Sequence, residues 1–381
     1  QLRLKAIVVR KLTDAQIIKR ADLLRTDSVH GAFKGVIDVD LANQSIIVNG
    51  QVIKFIDGGN PEDIDYTQHG INEALLIDNT GAFTDKESRY RYRHLDLIAN
   101  PSRKIIFKQR SSLIYHLRSY LNINEFIEVE TPILQPLYGG ANARPFTTQY
   151  NALNQTFYLR IADELYLKRL IIGGIDRVYE ISKDFRNEGM DRNHNPEFTM
   201  LEFYWAYSDY RDNMDLVENM FRQAAESIMA QNINWSGLEI DLSKPFQKRP
   251  FFELLKDATD HDLGNASEDE IRSICEKYEI EVERNTNYGQ LLDALMSKLV
   301  EPQLIQPTFI IDYPKVISPL AKTHRNGDLH LVERFELFIG GAEFANAFTE
   351  LNDPIDQRQR LEEQAALKEM GDDEAQPVDE N

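Results

Sequence analysis

The chain has 381 residues, with 43 basic and 62 acidic side chains and a net charge of −19. At about 150 residues per domain this length predicts two or three domains with sizeable cores, and 42% hydrophobic with 28% charged residues excludes collagen, general disorder and a disulfide scaffold. The longest apolar runs, such as Leu170–Ile175, fall far short of the roughly 18 residues a membrane helix needs, and the acidic balance argues against unspecific nucleic-acid binding while leaving room for a local basic groove.

In chain order, QLRLKAIVVR alternates as a half-buried strand does, and Thr13–Leu24 has apolar Ile17, Ile18, Ala21 and Leu24 at helical spacing with Thr13 as N-cap. Two or three strands follow, broken at Ala42–Asn43 and at Asn49–Gly50, the second a strong hairpin signal. Residues 1–57 thus read as the later part of a small β-barrel, and residues 58–84, rich in Gly, Asn and Asp, as a linker. From residue 85 the pattern mixes helices and strands. Arg103–Asn122 is amphipathic, FIEVETPIL is a strand ending at Pro132, and RVYEISKDF and FTMLEFYWAY are strands around a polar loop. Asn213–Gln231 reads as a helix, and residues 238–303 as a mostly polar, helical insertion. Strands return between Thr323 and Leu351, and a last helix has Asp353 as N-cap, Pro354 first and Gly371 as its stop. The lone Cys275 sits in a charged helical stretch and reads as an inert thiol of a reducing compartment. The basic, aromatic run Arg89–Leu97 reads as inter-domain packing, and the acidic tail as a solvated loop.

The chemistry concentrates in FRNEGMDRNHNPEFTMLEFYWAY, Phe185–Tyr207. Arg186 directly follows a strand, where a rigid scaffold can aim a guanidinium at an anion. Phe198, Glu202 and Tyr204 share parity on the next strand, so they point to one face. A carboxylate on such a face is costly without a partner, and Glu202 therefore asks for a cation, either an internal Arg or Lys or a ligand ammonium. Asn346, Phe348 and Glu350 repeat this parity on a second strand. Glu336 and Glu343 are placed to hold Mg²⁺ beside a phosphate, but Glu343 needs a bulge or turn at Gly340–Gly341 to face inward. On the residues alone, a metal pair and an exposed face are equally good readings. Glu164 at a helix start and the glycine loop YGGANARPF are further, weaker candidates.

At these residues the sequence resembles the lysyl-tRNA synthetase family of class II. The polar hairpin resembles the family's motif 2 and FIEVETPIL its motif 1, while YGGANARPF, IADELYLKRL, FIIDYPKVISPLAK and ERFELFIGGAEFANAFTELNDPIDQRQR resemble lysine-specific stretches in the family's order. The resemblance implies an α+β fold: an antiparallel sheet flanked by helices over residues 85–381, preceded by a partial OB-fold that binds the anticodon. It implies that ATP and L-lysine give lysyl-adenylate, that the lysyl group passes to the 3′ end of tRNA(Lys), and that Mg²⁺ assists. It places Arg186 on the α-phosphate and the lysine carboxylate, with Glu188, His194 and Asn195 on ATP and Phe198 against adenine. Glu336 and Glu343 take the metal. Gly140 and Glu164 hold the α-amino group, Asn346 helps with the carboxylate and Phe348 flanks the side chain. Glu202, Tyr204 and Glu350 receive the ε-ammonium, and two inward carboxylates with a hydroxyl do suit a compact cation with three donors. A cytoplasmic homodimer through the region around Pro132 is also implied.

The chain stops before the family's third motif and starts inside the barrel, which predicts a fragment or incompletely recorded chain with little aminoacylation activity of its own. The rival readings are a paralogue that attaches lysine to a protein, disfavoured by the N-terminal strands and the insertion, and a non-catalytic module derived from a synthetase, disfavoured by the retained site residues.

Overall fold

The computed structural model describes residues 4–9, 12–27, 31–32, 35–58, 64–72, 86–141, 143–191, 194–235, 237–283 and 286–369. They divide into two compact units, Gln1–Phe107 and Lys108–Asn381.

In the first unit, strand β1 (Ala6–Val9) precedes helix α1 (Asp14–Arg25), the short strands β2 (Thr26–Asp27) and β3 (Gly31–Ala32), and strands β4 (Ile37–Asp40), β5 (Ser45–Val48) and β6 (Gln51–Asp57). Asn49 and Gly50 both take positive φ, +48° and +81°, which suits a two-residue hairpin turn between β5 and β6. Helix α1 is capped as expected, with Gln16 N–H donating to Thr13 Oγ1 at 3.3 Å. It buries Ile17 and Ala21 against Ile37, Ile46, Ile53 and Phe55, while Ile18 and Leu24, counted to the same apolar stripe, are exposed. The sheet order is β1-β6-β5-β4. The β4-β5-β6 meander is antiparallel, as read from the sequence, but β1 runs parallel to β6, with Ala6 opposite Lys54. Among the described residues the unit therefore holds one mixed four-stranded sheet. Most of the 58–84 linker lies outside the described residues. Helices α2 (Lys86–Arg91) and α3 (Arg93–Ala99) close this part. Here the basic run is explained locally: Arg89, Arg93 and Asn100 all donate to the buried Asp96, at 2.8, 2.6 and 2.9 Å.

Helix α4 (Lys104–Ile123) leads into the second unit. The motif-1-like run is mostly extended backbone, paired at β7 (Ile127–Glu128), parallel to the later strand at Val178–Tyr179, and at its last residue, Leu134. Then come β8 (Leu134–Gln135), β9 (Thr147–Tyr150), β10 (Gln155–Leu159), α5 (Glu164–Ile172), β11 (Arg177–Phe185), β12 (Glu197–Trp205) and α6 (Tyr210–Ser227). Helix α6 begins earlier than expected because Asp209 caps it, accepting from Arg211 and Asp212 N–H while Asp212 accepts from Asp209 N–H. Strands β13 (Asn232–Trp235), β14 (Leu238–Asp241) and β15 (Gln247–Pro250) precede helices α7 (Phe251–Thr259), α8 (Glu268–Lys277) and α9 (Tyr288–Leu295). Strands β16 (Thr308–Pro314), β17 (Leu331–Ile339) and β18 (Ala342–Phe348) and helix α10 (Pro354–Glu369) complete the order. Asp353 caps α10 through Ile355 N–H at 2.9 Å, and Gly371 lies outside the described residues.

Two sheets matter for function. One is β12-β11-β7 and the other β15-β16-β17-β18. The insertion is helical, as expected, but it is not a polar appendage. Phe251, Leu255, Ile271, Cys275, Leu291 and Leu295 are fully buried in one core with Ile310, Val332 and Phe338 of the second sheet, and β15 pairs directly with β16. Amphipathic helices hide such a core from a composition count because their outer faces are charged.

The polar hub of this unit is Arg160, 2% exposed. Its guanidinium donates to Thr131 O at 3.2 Å, Lys183 O at 3.0 Å and Glu180 at 2.8 Å, and it pairs with Asp163 at 3.0 Å and Asp184 at 3.1 Å. One side chain thus ties the segment before β8 to β11 and to the start of α5. Removing a buried cation leaves its carboxylates uncompensated. Arg160→Met is accordingly expected to lower unfolding stability by about 3–5 kcal/mol; a denaturant melt within 1 kcal/mol of the parent would contradict this hub.

Candidate active site in the second unit

The β11–β12 hairpin carries most of the site. Its nine-residue register, Arg177 opposite Trp205 through Phe185 opposite Glu197, fixes parity along both strands. Arg186 leaves the end of β11, held by its N–H to Pro196 O at 2.9 Å, and its guanidinium lies 5.2 Å from the Phe198 ring centre. Asn187 N–H reaches Arg144 O at 2.7 Å, and Glu188 accepts from Arg144 N–H at 3.3 Å, so the hairpin mouth is stitched to the glycine loop. At the tip, Asp191 accepts from His194 N–H at 2.8 Å and meets its Nδ1 at 2.7 Å. His194 and Asn195 are exposed there, and Arg192 lies outside the described residues.

Gly140 has φ +89°, and a Cβ at this position would sit 2.7 Å from Glu164 Cβ and 3.2 Å from Ala162 Cβ. The loop therefore needs glycine twice over, for its backbone and for its closeness to Glu164. Gly140→Ala is expected to lower stability by about 2 kcal/mol through positive-φ strain and this clash; an unchanged melting temperature would show that the loop yields freely.

Glu202 and Tyr204 do share a face of β12, with Tyr204 O–H donating to Glu202 at 3.3 Å. Of the two cations that Glu202 could call for, an internal Arg or Lys is not among its described partners. It accepts from Asp163 N–H at 3.3 Å. Loss of hydration, with Asp163 and Glu164 nearby, pushes its pKa up to about 8. Burial, with Glu164, Glu202 and Glu350 nearby, pushes the Tyr204 hydroxyl well above its ordinary value. Beside it, Asp163 is raised to about 7 by burial and by Asp184. Carboxylate oxygens of Asp163, Asp184 and Glu202 lie within 4.8 Å of one another, close enough to share one cation or a proton.

Glu164 and Glu350 both meet Lys168, at 2.6 and 2.8 Å, and the Lys168 ammonium is 5.8 Å from the Phe348 ring centre. Glu202, Glu350, Tyr204 and Glu164 therefore belong to one pocket, since the three carboxylates all raise the Tyr204 pKa and Glu164 raises that of Glu350. Glu350 is raised to about 7 by loss of hydration, even though Lys168 pulls it down.

In the second sheet, Gly340 and Gly341 form the turn between β17 and β18, with φ +62° and +77°. The inward rotation of Glu343 comes from a different place. Leu337 pairs with Ala345 but Phe338 pairs with Glu343, so Phe344 is an extra residue on β18. This bulge returns Glu343 to the face of Glu336. Glu343 is raised to about 7 by loss of hydration and by Glu336, which itself engages Arg334 and Tyr313. Asn346, opposite Glu336, accepts from Arg334 at 3.1 Å.

The residues missed in the sequence are Arg160, Asp163, Asp184 and Lys168. A signal existed for some of them. Glu180, Ser182 and Asp184 alternate on an otherwise apolar strand and are all buried. Lys168 lies one helical turn after Glu164, on the same face.

A raised carboxyl pKa in the folded chain means that folding takes up a proton. The stabilisation is full below the ordinary value of 4.5 and is lost as pH rises through about 8. Glu202→Gln, which keeps the neutral shape, is expected to leave stability nearly unchanged at pH 5 and to raise it by about 1–3 kcal/mol at pH 8.5. Equal effects at both pH values, measured by chemical denaturation, would refute the assignment.

Most of the chain is similar to known proteins. The chain is 54% identical over 301 residues to the lysine–tRNA ligase of Aquifex aeolicus, covering 78% of this chain and 50% of that protein. It is 50% identical over 309 residues to the lysine–tRNA ligase of Staphylococcus epidermidis (80% and 62%) and 48% identical over 315 residues to that of Leuconostoc mesenteroides (82% and 63%). The chain thus spans between half and about two thirds of the length of these relatives. Residues 1–86 match a different family, the NAD binding domain of glyceraldehyde 3-phosphate dehydrogenase. Residues 85–380, most of the chain and all of the site just described, match the tRNA synthetases of class II (D, K and N), and it is to this family that the chain belongs.

Proposed function

We propose that the second unit binds L-lysine and ATP and forms lysyl-adenylate, as the catalytic domain of a lysine–tRNA ligase whose product is lysyl-tRNA(Lys). The carrying observation is the pocket's charge. Glu202, Glu350 and Glu164 converge beside the Tyr204 hydroxyl with only Lys168 as their paired cation among the described residues. Such a pocket favours an added ammonium and repels the carboxylate side chain of an aspartate.

In this reading Glu202, Tyr204 and Glu350 receive the ε-ammonium, and Glu164 and the Gly140 loop the α-amino group. Phe348 flanks the aliphatic stem, and Asn346 helps to seat the carboxylate. Arg186 lies between the lysine carboxylate and the α-phosphate, where its charge steadies the developing phosphorane. Glu188, His194 and Asn195 line the ATP side, and Phe198 offers a ring face for adenine beyond the face covered by Arg186. The lysine carboxylate oxygen attacks the α-phosphorus and pyrophosphate leaves, so no side chain becomes covalently attached. Catalysis by this chain is positioning and charge stabilisation. The donor set Glu336 and Glu343 fits Mg²⁺: the two carboxylates share one sheet face, and Glu336 helps to hold the Glu343 pKa up, which marks unmet negative charge. When bound, the metal would neutralise phosphate charge.

The anticodon-binding role expected for residues 1–57 is part of this reading, supported by the mixed sheet β1-β6-β5-β4 against which helix α1 packs. A homodimer through the Pro132 region is supported by exposed Ile127, Ile133 and Leu134. Among the described residues no helix is long and apolar enough to cross a membrane, and the kinship with translation enzymes supports a cytoplasmic location.

Lysine must displace the proton on Glu202, so its affinity is expected to rise about tenfold per pH unit below about 8 and then level off. Titration calorimetry in buffers of different ionisation heat should show proton release on binding at pH 7, and Glu202→Lys should abolish binding. A pH-independent affinity, or lysine binding by the charge-reversed variant, would overturn the assignment.

A further inference from the structure

Lys168 is a half-buried cation that the reaction does not call for, and it contacts groups that the substrate would also use. Its ammonium lies 2.6 Å from Glu164 Oε1 and 2.8 Å from Glu350 Oε2, and 5.8 Å from the Phe348 ring centre. Two explanations are possible in principle: a displaceable stand-in for the substrate amine, or a fixed part of the wall. The geometry favours the wall. Lys168 and Glu164 are one turn apart on α5, with the glutamate N-terminal, the favoured order for a helical ion pair. Glu350 is held by its own backbone, bridged to Ala321. Each carboxylate has a second oxygen with which to accept another donor.

We propose that Lys168 is a positioning residue for lysine selection, a fixed counter-ion that keeps Glu350 ionised and aimed so that it can accept the substrate's ε-ammonium. This rests on the reading of the pocket as a lysine site. The groups facing Glu350 are Lys168 and Glu164 from α5 and Tyr204 from β12, with Glu202 beside Tyr204. Of these, Lys168 alone lowers the Glu350 pKa; loss of hydration and Glu164 outweigh it, so that the carboxyl stands at about 7 with Lys168 in place. The two carboxylates in turn hold the Lys168 ammonium above its ordinary pKa, although burial would lower it. Without Lys168, the Glu350 pKa rises further, so the carboxyl is more fully protonated at neutral pH and a poorer ammonium acceptor.

The test is calorimetric titration of the 381-residue chain with L-lysine at pH 7 and pH 9. Lys168→Met should weaken binding about tenfold at pH 7, one pKa unit's worth of protonation, and recover most of it at pH 9. Lys168→Arg should stay within about threefold of the parent at both pH values, because it keeps the charge. Unchanged affinity in Lys168→Met, a loss equal at both pH values, or tighter binding, which a displaced stand-in would give, overturns the proposal. If Lys168→Met does not fold, Lys168→Arg carries the test alone, and a tenfold loss in it at both pH values counts against the proposal. Failure of the parent chain to bind L-lysine overturns the lysine reading itself, whereas parent binding with an unaltered Lys168→Met profile overturns only the role of Lys168.

Discussion

The second unit is organised around a shortage of positive charge. Asp163, Glu180 and Asp184 share one guanidinium, Arg160, and Glu164 and Glu350 share one ammonium, Lys168. Glu202 has neither. In water such crowding would cost little, but here the carboxylates sit in protein where each unmet charge weakens folding. Protons can make up part of the deficit, since Asp163, Glu202, Glu343 and Glu350 all have pKa values raised towards neutrality. In the proposed reading, a small cation would enter such a site by exchange for protons.

Much of this was legible in the sequence, because the hairpin reports it through parity. Once β11 and β12 were recognised as strands, Glu202 and Tyr204 had to share a face, and the same held for Asn346, Phe348 and Glu350 on the second sheet. The partners were less visible. Arg160 lies just after β10 and reaches Thr131 and Lys183, distant in sequence, so only tertiary structure brings them together. Charge counting also misled in the insertion, where the buried faces of α7, α8 and α9 are continuous in space but dispersed along the chain.

The first unit shows the opposite limit. Its hairpin, its capped helix and its antiparallel meander follow from local signals: Asn49–Gly50, Thr13 and the alternation of Ile37 through Phe55. The pairing of β1 with β6 does not, because strands about 45 residues apart can meet in either direction and alternation alone carries no polarity. That single pairing is what makes the four-stranded sheet mixed.

The extra residue Phe344 gives β18 two different phases. On its C-terminal side, even-numbered positions Asn346 and Phe348 face the site; on its N-terminal side an odd-numbered one, Glu343, does. In the proposed reading the strand serves an amino-acid cavity and a phosphate-metal corner from one sheet face, which a regular strand of this sequence could not do. The bulge is what absorbs Phe344: deleting that one residue would straighten the strand and leave Glu343 two positions from Asn346, on the same face.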